Sequence, residues 1–128
     1  MVKKPAPSFR IIFVDDSWER FENFAENLPA TLGELHWAAS AEAAISILKD
    51  DPLSITVVCL DHDLGEKTEC GCIVVDWIIQ HKEAFQKTTF VCHSWNTAGA
   101  EAMHNSLFQA GLKSKIKPFV PSRTNHID

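Results

Sequence analysis

The sequence predicts a doubly wound α/β domain: a five-stranded parallel sheet held between two helical layers. Three observations predict it. Short apolar runs alternate with helical stripes from one end of the chain to the other. The third run, Ile55 to Leu60, is continuously hydrophobic, as a strand buried on both faces must be. The 128 residues carry no internal repeat, low-complexity tract or linker, so they suit one core.

Each element has its own signal. Ile11-Ile12-Phe13-Val14 reads as the first strand and stops at Asp15-Asp16. Trp18, Phe21, Ala25 and Leu28 lie on one helical stripe, which Pro29 ends. A weak strand, Leu35 to Ala39, follows. Ser40 offers an N-cap to a helix carrying Ala41, Ala44, Ile45 and Leu48, and Asp50-Asp51-Pro52 breaks it. The third strand then runs into Asp61-His62-Asp63. After a loop from Gly65 to Cys70, a helix is marked by Val74, Trp77, Ile78 and His81. Thr89 to Cys92 is the fourth strand, closed by His93-Ser94. Asn96 or Thr97 caps a helix with Ala100, Met103, Leu107 and Ala110 inward, and Gly111 stops it. The last strand is placed at roughly Lys115 to Val120. Strictly alternating units of this kind make a flavodoxin-like three-layer sandwich. Residues 1–8 are expected to be a flexible arm, 9–122 the domain and 123–128 a tail.

Composition narrows the partners. Hydrophobic residues make up 45% and charged residues 23%, an ordinary globular balance. A formal net charge of -5 argues against duplex DNA and anionic membranes. No apolar run approaches a membrane span, and Met1 to Ser8 has lysines but no apolar segment behind them, so a cytoplasmic location is expected. The four cysteines are expected to be reduced thiols; the alternative, a zinc site at Cys70-x-Cys72, rests on a weak spacing.

The chemistry gathers at the strand ends. Doubly wound sheets bind ligands outside the carboxyl ends of their strands, where strand order reverses. Asp15 and Asp16, then Asp61 to Asp63, then His93 and Ser94 all fall on that edge. Converging carboxylates repel unless a cation neutralises them, and their oxygens suit Mg²⁺ or Mn²⁺. Asp15, Asp16 and Asp61 are the candidate metal ligands; N-capping explains the first pair alone but not Asp61 and Asp63. His62 and His93 add groups able to move a proton near neutrality. His36, His81, His104 and His126 are assigned structural roles. Ser94, Asn96 and Gly99, at a helix N-terminus, suit an anion such as phosphate, although plain capping also explains them. Lys117 could neutralise a phosphoryl oxygen from the end of the last strand, or stand solvated with Lys113 and Lys115. Trp95 could stack on a base or cover the sheet edge. Arg20 is expected at the surface, a contact with a second anionic group being the alternative.

Two resemblances follow from these residues. The chain resembles response-regulator receiver domains in its acidic pair Asp15-Asp16, Asp61 after the third strand, Ser94 after the fourth and Lys117 in "KPF". In that family the strand-three aspartate is phosphorylated with Mg²⁺ bound. More specifically, "LDHDLG", the "CG" to "WI" stretch around Gly71, Val74 and Trp77, and "HSWNTAGAEAM" look like the cyclic-phosphate-processing receiver-like family of bacteria and phages. Thr97 stands where that family has proline, and Cys70 and Cys72 where threonine and an aromatic are common. The resemblance implies work on cyclic phosphates of nucleotides or RNA-repair products.

The leading expectation is therefore a metal-dependent phosphodiesterase. Asp61, His62, Asp63 and His93 would be catalytic, Ser94, Asn96, Gly99 and Lys117 would bind substrate, and Asp15, Asp16 and Asp61 would hold the ion. The partner would be a small cyclic nucleotide or a cyclic-phosphate RNA end. The alternatives are a receiver phosphorylated on Asp61 and a non-catalytic nucleotide-binding module.

Overall fold

A computed structural model describes residues 9–29, 33–64, 70–94 and 96–117. The proposed arm and tail, Trp95, and residues 65–69 of the third loop lie outside the described residues. Among those described, five strands form one parallel sheet: β1 (Phe9–Val14), β2 (Gly33–Ala38), β3 (Val57–Asp61), β4 (Thr89–His93) and β5 (Lys113–Ile116). Their order is β2-β1-β3-β4-β5. Four helices connect them: α1 (Trp18–Glu26), α2 (Ala41–Lys49), α3 (Gly71–Gln80) and α4 (Thr97–Gln109). Strand order reverses between β1 and β3, so the crevice of a doubly wound sheet opens where Asp15 and Asp61 stand.

Local chemistry sets the helix ends. Ser17 accepts from the Arg20 N–H at 3.2 Å and Ser40 from the Ala43 N–H at 3.1 Å, capping α1 and α2. Asn96 caps α4 through the Gly99 N–H at 2.9 Å. Gly111 follows that helix at φ 87°, a left-handed turn that lets the Leu112 N–H reach the Leu107 carbonyl at 3.1 Å. No helix among the described residues is long and apolar enough to cross a membrane.

The pleat divides the core. Ile12, Val14, Val58, Leu60, Phe90 and Cys92 point to one face, under Leu48, Val74, Ile78, Met103 and Leu107 of α2, α3 and α4. Ile11, Phe13 and Cys59 point to the other, against Phe21 and Phe24 of α1. The register aligns Phe13 with Cys59 and Val91, and Asp61 with His93. Asp61 and His93 therefore continue the α1 face beyond the last apolar row.

Two boundaries differ from expectation. β5 is Lys113–Ile116, beginning two residues before the expected start at Lys115; residues 118–120 of the expected strand lie outside the described residues. An edge strand tolerates outward lysines, and Ser114 is anchored inward by His104 Nδ1 at 2.8 Å. β3 starts at Val57 because the Ile55 N–H is committed to closing the turn at Pro52 (3.2 Å).

Candidate functional site

On the α1 face, Asp15 follows β1 with no exposed surface. Its Oδ1 accepts from the Ser17 N–H at 2.8 Å, which turns the chain into α1 and brings Arg20 back over the carboxylate. The guanidinium donates through Nε to Oδ2 at 2.9 Å and through Nη2 to Oδ1 at 2.9 Å, a two-point fork. The same Nη2 lies 3.4 Å from Asp16 and 3.5 Å from Asp61. Arg20, expected at the surface, is thus the centre of the acidic cluster. Hydrogen bonding to Asp15 raises its pKa further. Its spacing from Asp15 and Asp16 was the available signal, because one turn of helix spans that distance.

One guanidinium does not balance three carboxylates. Asp61, 4% exposed, has its carboxyl pushed up to about 7, first by burial and then by the charge of Asp15, while the Ser94 hydroxyl and Arg20 pull it down. His93 stacks on Phe13 with ring centroids 5.0 Å apart and puts Nδ1 3.8 Å from Asp15 Oδ2. Burial lowers its pKa to about 4, so near neutral pH the ring is uncharged. Its Nε2 is buried and has no hydrogen-bond partner among the described residues. Asp15, Asp61 and His93 each bring a ligand atom within 4.8 Å of the others. Two carboxylates short of positive charge and a neutral imidazole with a buried nitrogen fit a divalent cation. Asp16, more exposed, stands beside that trio and bonds to Arg20.

His62 points the other way, since adjacent strand residues face opposite layers. Its ring lies against the first turn of α4: a Cβ on Gly99 would lie 2.7 Å from Nδ1 and nearer still to Cγ. Only glycine leaves room for it. Asp63 Oδ1 pairs with His62 Nδ1 at 2.8 Å, and Asn96 Nδ2 lies 3.5 Å from the same nitrogen. Ser94 Oγ accepts from the Asn96 N–H at 3.1 Å, tying the end of β4 to the α4 cap. The strand edge thus carries two faces: Asp15, Asp61 and His93, which could hold a cation, beneath α1, and an Asp–His pair beside a helix N-terminus on the α4 side. The single pocket read from the sequence is divided between them. Lys117 follows β5 with its side chain exposed and its N–H bonded to the Cys92 carbonyl at 2.9 Å.

The cysteines also divide. Cys59 and Cys92 are free and buried, with thiols pushed up to about 12 and about 11 by burial. Cys70 and Cys72, expected as reduced thiols, are joined as a disulfide across Gly71.

A family model for the Cyclic-phosphate processing Receiver domain matches residues 10–109. The chain belongs to that family. Among solved structures, the receiver domain of NtrX from Brucella abortus is similar at 26% identity and TM-score 0.61, covering 88% of this chain and 89% of that one. CheY in the CheX-CheY-BeF3-Mg²⁺ complex from Borrelia burgdorferi gives 18% and 0.66, with coverage of 91% and 84%. The receiver domain of the Arabidopsis thaliana histidine kinase CKI1, complexed with Mg²⁺, gives 16% and 0.66, with 88% and 84%. Likeness of this degree establishes the receiver fold. A comparison with curated proteins finds no match.

Proposed function

We propose that this receiver domain is a metal-dependent phosphodiesterase that opens a cyclic phosphate of a nucleotide or an RNA end. The observation that carries the proposal is the His62–Asp63 pair seated on Gly99. A receiver that only accepts a phosphoryl group has no task for an oriented imidazole packed on the turn where an anion would bind.

Asp15, Asp61 and His93 would hold the ion, Mg²⁺ as in the CKI1 and CheY structures or Mn²⁺, both of which carboxylates suit. When bound, the ion supplies Lewis-acid polarisation of the phosphoryl oxygens. His62 is the general base: it takes a proton from water as the new O–P bond forms. It returns that proton to the ester oxygen as the ring P–O bond breaks. Asp63 keeps the ring oriented and stabilises it while protonated. His93 would be a poor base for this step, because burial pulls its pKa down to about 4, and its position beside Asp15 supports a role with the ion instead. Ser94, Asn96 and the α4 N-terminus would receive the phosphate; Lys117, exposed after β5, would reach it only by extending its side chain.

The test is hydrolysis of a panel of cyclic nucleotides and cyclic-phosphate-ended RNAs, with Mn²⁺ and with chelator. His62→Ala is expected to slow turnover by about 10²–10⁴-fold while the ion still raises the melting temperature. Tight binding without turnover under any divalent ion would replace the enzyme by a nucleotide-binding module.

A second reading, phosphoacceptor chemistry on Asp61, is favoured by one specific contact, the Ser94 hydrogen bond to Asp61 across the ends of β3 and β4. A stable acyl-phosphate on Asp61 after treatment with acetyl phosphate and Mg²⁺ would establish it.

A further inference from the structure

Cys70 and Cys72 are unused by either reading, yet the fold holds them in a defined place. Asp63 and Cys70 form an antiparallel bridge, and the Gly71 N–H donates to the His62 carbonyl at 2.6 Å. Gly71 has no room for a side chain, since a Cβ would strike the Asp61 carbonyl and come 2.9 Å from Met103 Sδ. The turn is therefore pinned against β3, with one cysteine on each side. The two sulfurs and a ring nitrogen of His62 lie within 4.8 Å of one another.

We propose that, once its disulfide is reduced, the Cys70–Gly71–Cys72 turn joins His62 in binding a thiophilic divalent ion, with Zn²⁺ the best match. The donor set is two sulfurs and one nitrogen, which selects against Mg²⁺ and for a softer ion. Zinc takes four ligands, so this set leaves one position to water or to an anion. Two features of the surroundings favour it. Cys70 caps α3, its Sγ accepting the Cys72 N–H at 3.2 Å, which fixes where that sulfur stands beside His62. Asp63 Oδ1 engages His62 Nδ1 at 2.8 Å, the carboxylate support that metal-bound histidines commonly have, which directs Nε2 to the ion. The site is distinct from Asp15, Asp61 and His93, which lie on the opposite face of the strand edge. Because it shares His62 with the proposed general base, zinc would withdraw that base from catalysis.

The redox step is a two-electron reduction. A water-soluble phosphine breaks the S–S bond, water supplies oxygen to the phosphine oxide, and two thiols form. Their protons leave as the metal binds.

The experiment uses the full chain and Co²⁺ as a spectroscopic stand-in for Zn²⁺. Reduced protein, freed of phosphine, should develop a thiolate-to-Co²⁺ charge-transfer band that saturates at one equivalent and is erased by Zn²⁺. The unreduced protein should give no band. Cys72→Ser, at an exposed position that folding tolerates, should abolish the two-thiolate spectrum. Asp63→Asn should weaken binding by about 10–100-fold. Asp15→Asn should leave the band intact, which separates this site from the carboxylate site whatever the turnover assay shows. Absence of the band in reduced wild type overturns the proposal. So does an unchanged two-thiolate spectrum in Cys72→Ser, which would show that Cys72 is not a ligand, and so does a band lost with Asp15→Asn.

Discussion

Asp61→Asn tests the electrostatic account of the acidic cluster, because it removes one charge while keeping the shape of the side chain. The wild-type carboxyl is pushed from 3.8 to about 7 by burial and by Asp15, so the ionised form is disfavoured in the fold. The sign follows directly. Below pH 3.8 the carboxyl is protonated whether folded or unfolded, and it costs nothing. As the pH rises towards about 7 the unfolded chain releases this proton and the native state resists, so stability falls. Above that value the cost is complete. One pK unit is worth about 1.4 kcal/mol, so the shift bounds the cost at about 4 kcal/mol. Partial solvent screening and the lost contacts with Ser94 and Arg20 reduce the net gain on substitution to about 2 kcal/mol. Melting curves in chelator near neutral pH should therefore place Asp61→Asn higher than wild type, by on the order of 5–10 °C. The gap should close as the pH falls towards 3.8. Excess Mn²⁺ should raise the wild type more than the variant, since the ion removes the same repulsion. A variant that melts at or below the wild type in chelator, or a gap that ignores pH, would refute the reasoning.

Three further outcomes are expected. Arg20→Met leaves the buried Asp15 carboxylate without its fork, and urea unfolding in chelator should show a loss of about 3 kcal/mol, partly recovered by Mn²⁺. Gly99→Ala sets a methyl group into the His62 ring and should displace it, cutting turnover at least as strongly as it weakens anion binding; stability should drop by about 1–3 kcal/mol in thermal melts. His93 is held neutral with its pKa near 4 instead of 6.5, so its contribution is present above 6.5 and lost as the pH falls to about 4. His93→Phe, which keeps the stack on Phe13, should flatten that acid-side loss; Asp61 titrates in both proteins, so their difference isolates the imidazole.

Much of this was legible because local and global signals agree. Ser40, Asn96 and Gly111 are cap and stop residues whose chemistry acts within a few residues, and each does its work where the pattern placed it. Asp15, Asp61 and His93 were legible as strand-end groups, because alternation alone fixes which ends of a parallel sheet align. The position of Arg20 was not, since it depends on the turn that Ser17 makes around Asp15. The start of β5 was not legible, because Lys113 contradicts a buried-strand pattern and the pairing partner β4 decides the register. The disulfide between Cys70 and Cys72 depends on the conformation of a three-residue turn, which composition does not encode. Alternation within β3 held an unused clue, since it turns Asp61 and His62 to opposite faces; that Asp61 shares its face with His93 is set by the register.

That alternation bears on what the edge does. Asp61 and His62 are neighbours in sequence, yet the pleat sends one to the Asp15–His93 cluster and the other to the α4 N-terminus. A phosphate bound over the end of β3 can therefore be approached from both layers at once, by an ion from beneath α1 and by an imidazole from beside α4. Phosphoacceptor chemistry on Asp61 requires only the first layer and the Ser94 hydroxyl. It leaves the Asp63–His62 bond and the glycine that admits the ring unexplained. Hydrolysis of a cyclic ester requires both layers, since charge must be neutralised on the phosphoryl oxygens while a proton moves between water and the departing oxygen. On the proposed reading Gly99 is the position to test: a side chain there would leave Asp15, Asp61 and His93 in place, and would displace the His62 ring that gives the edge its second face.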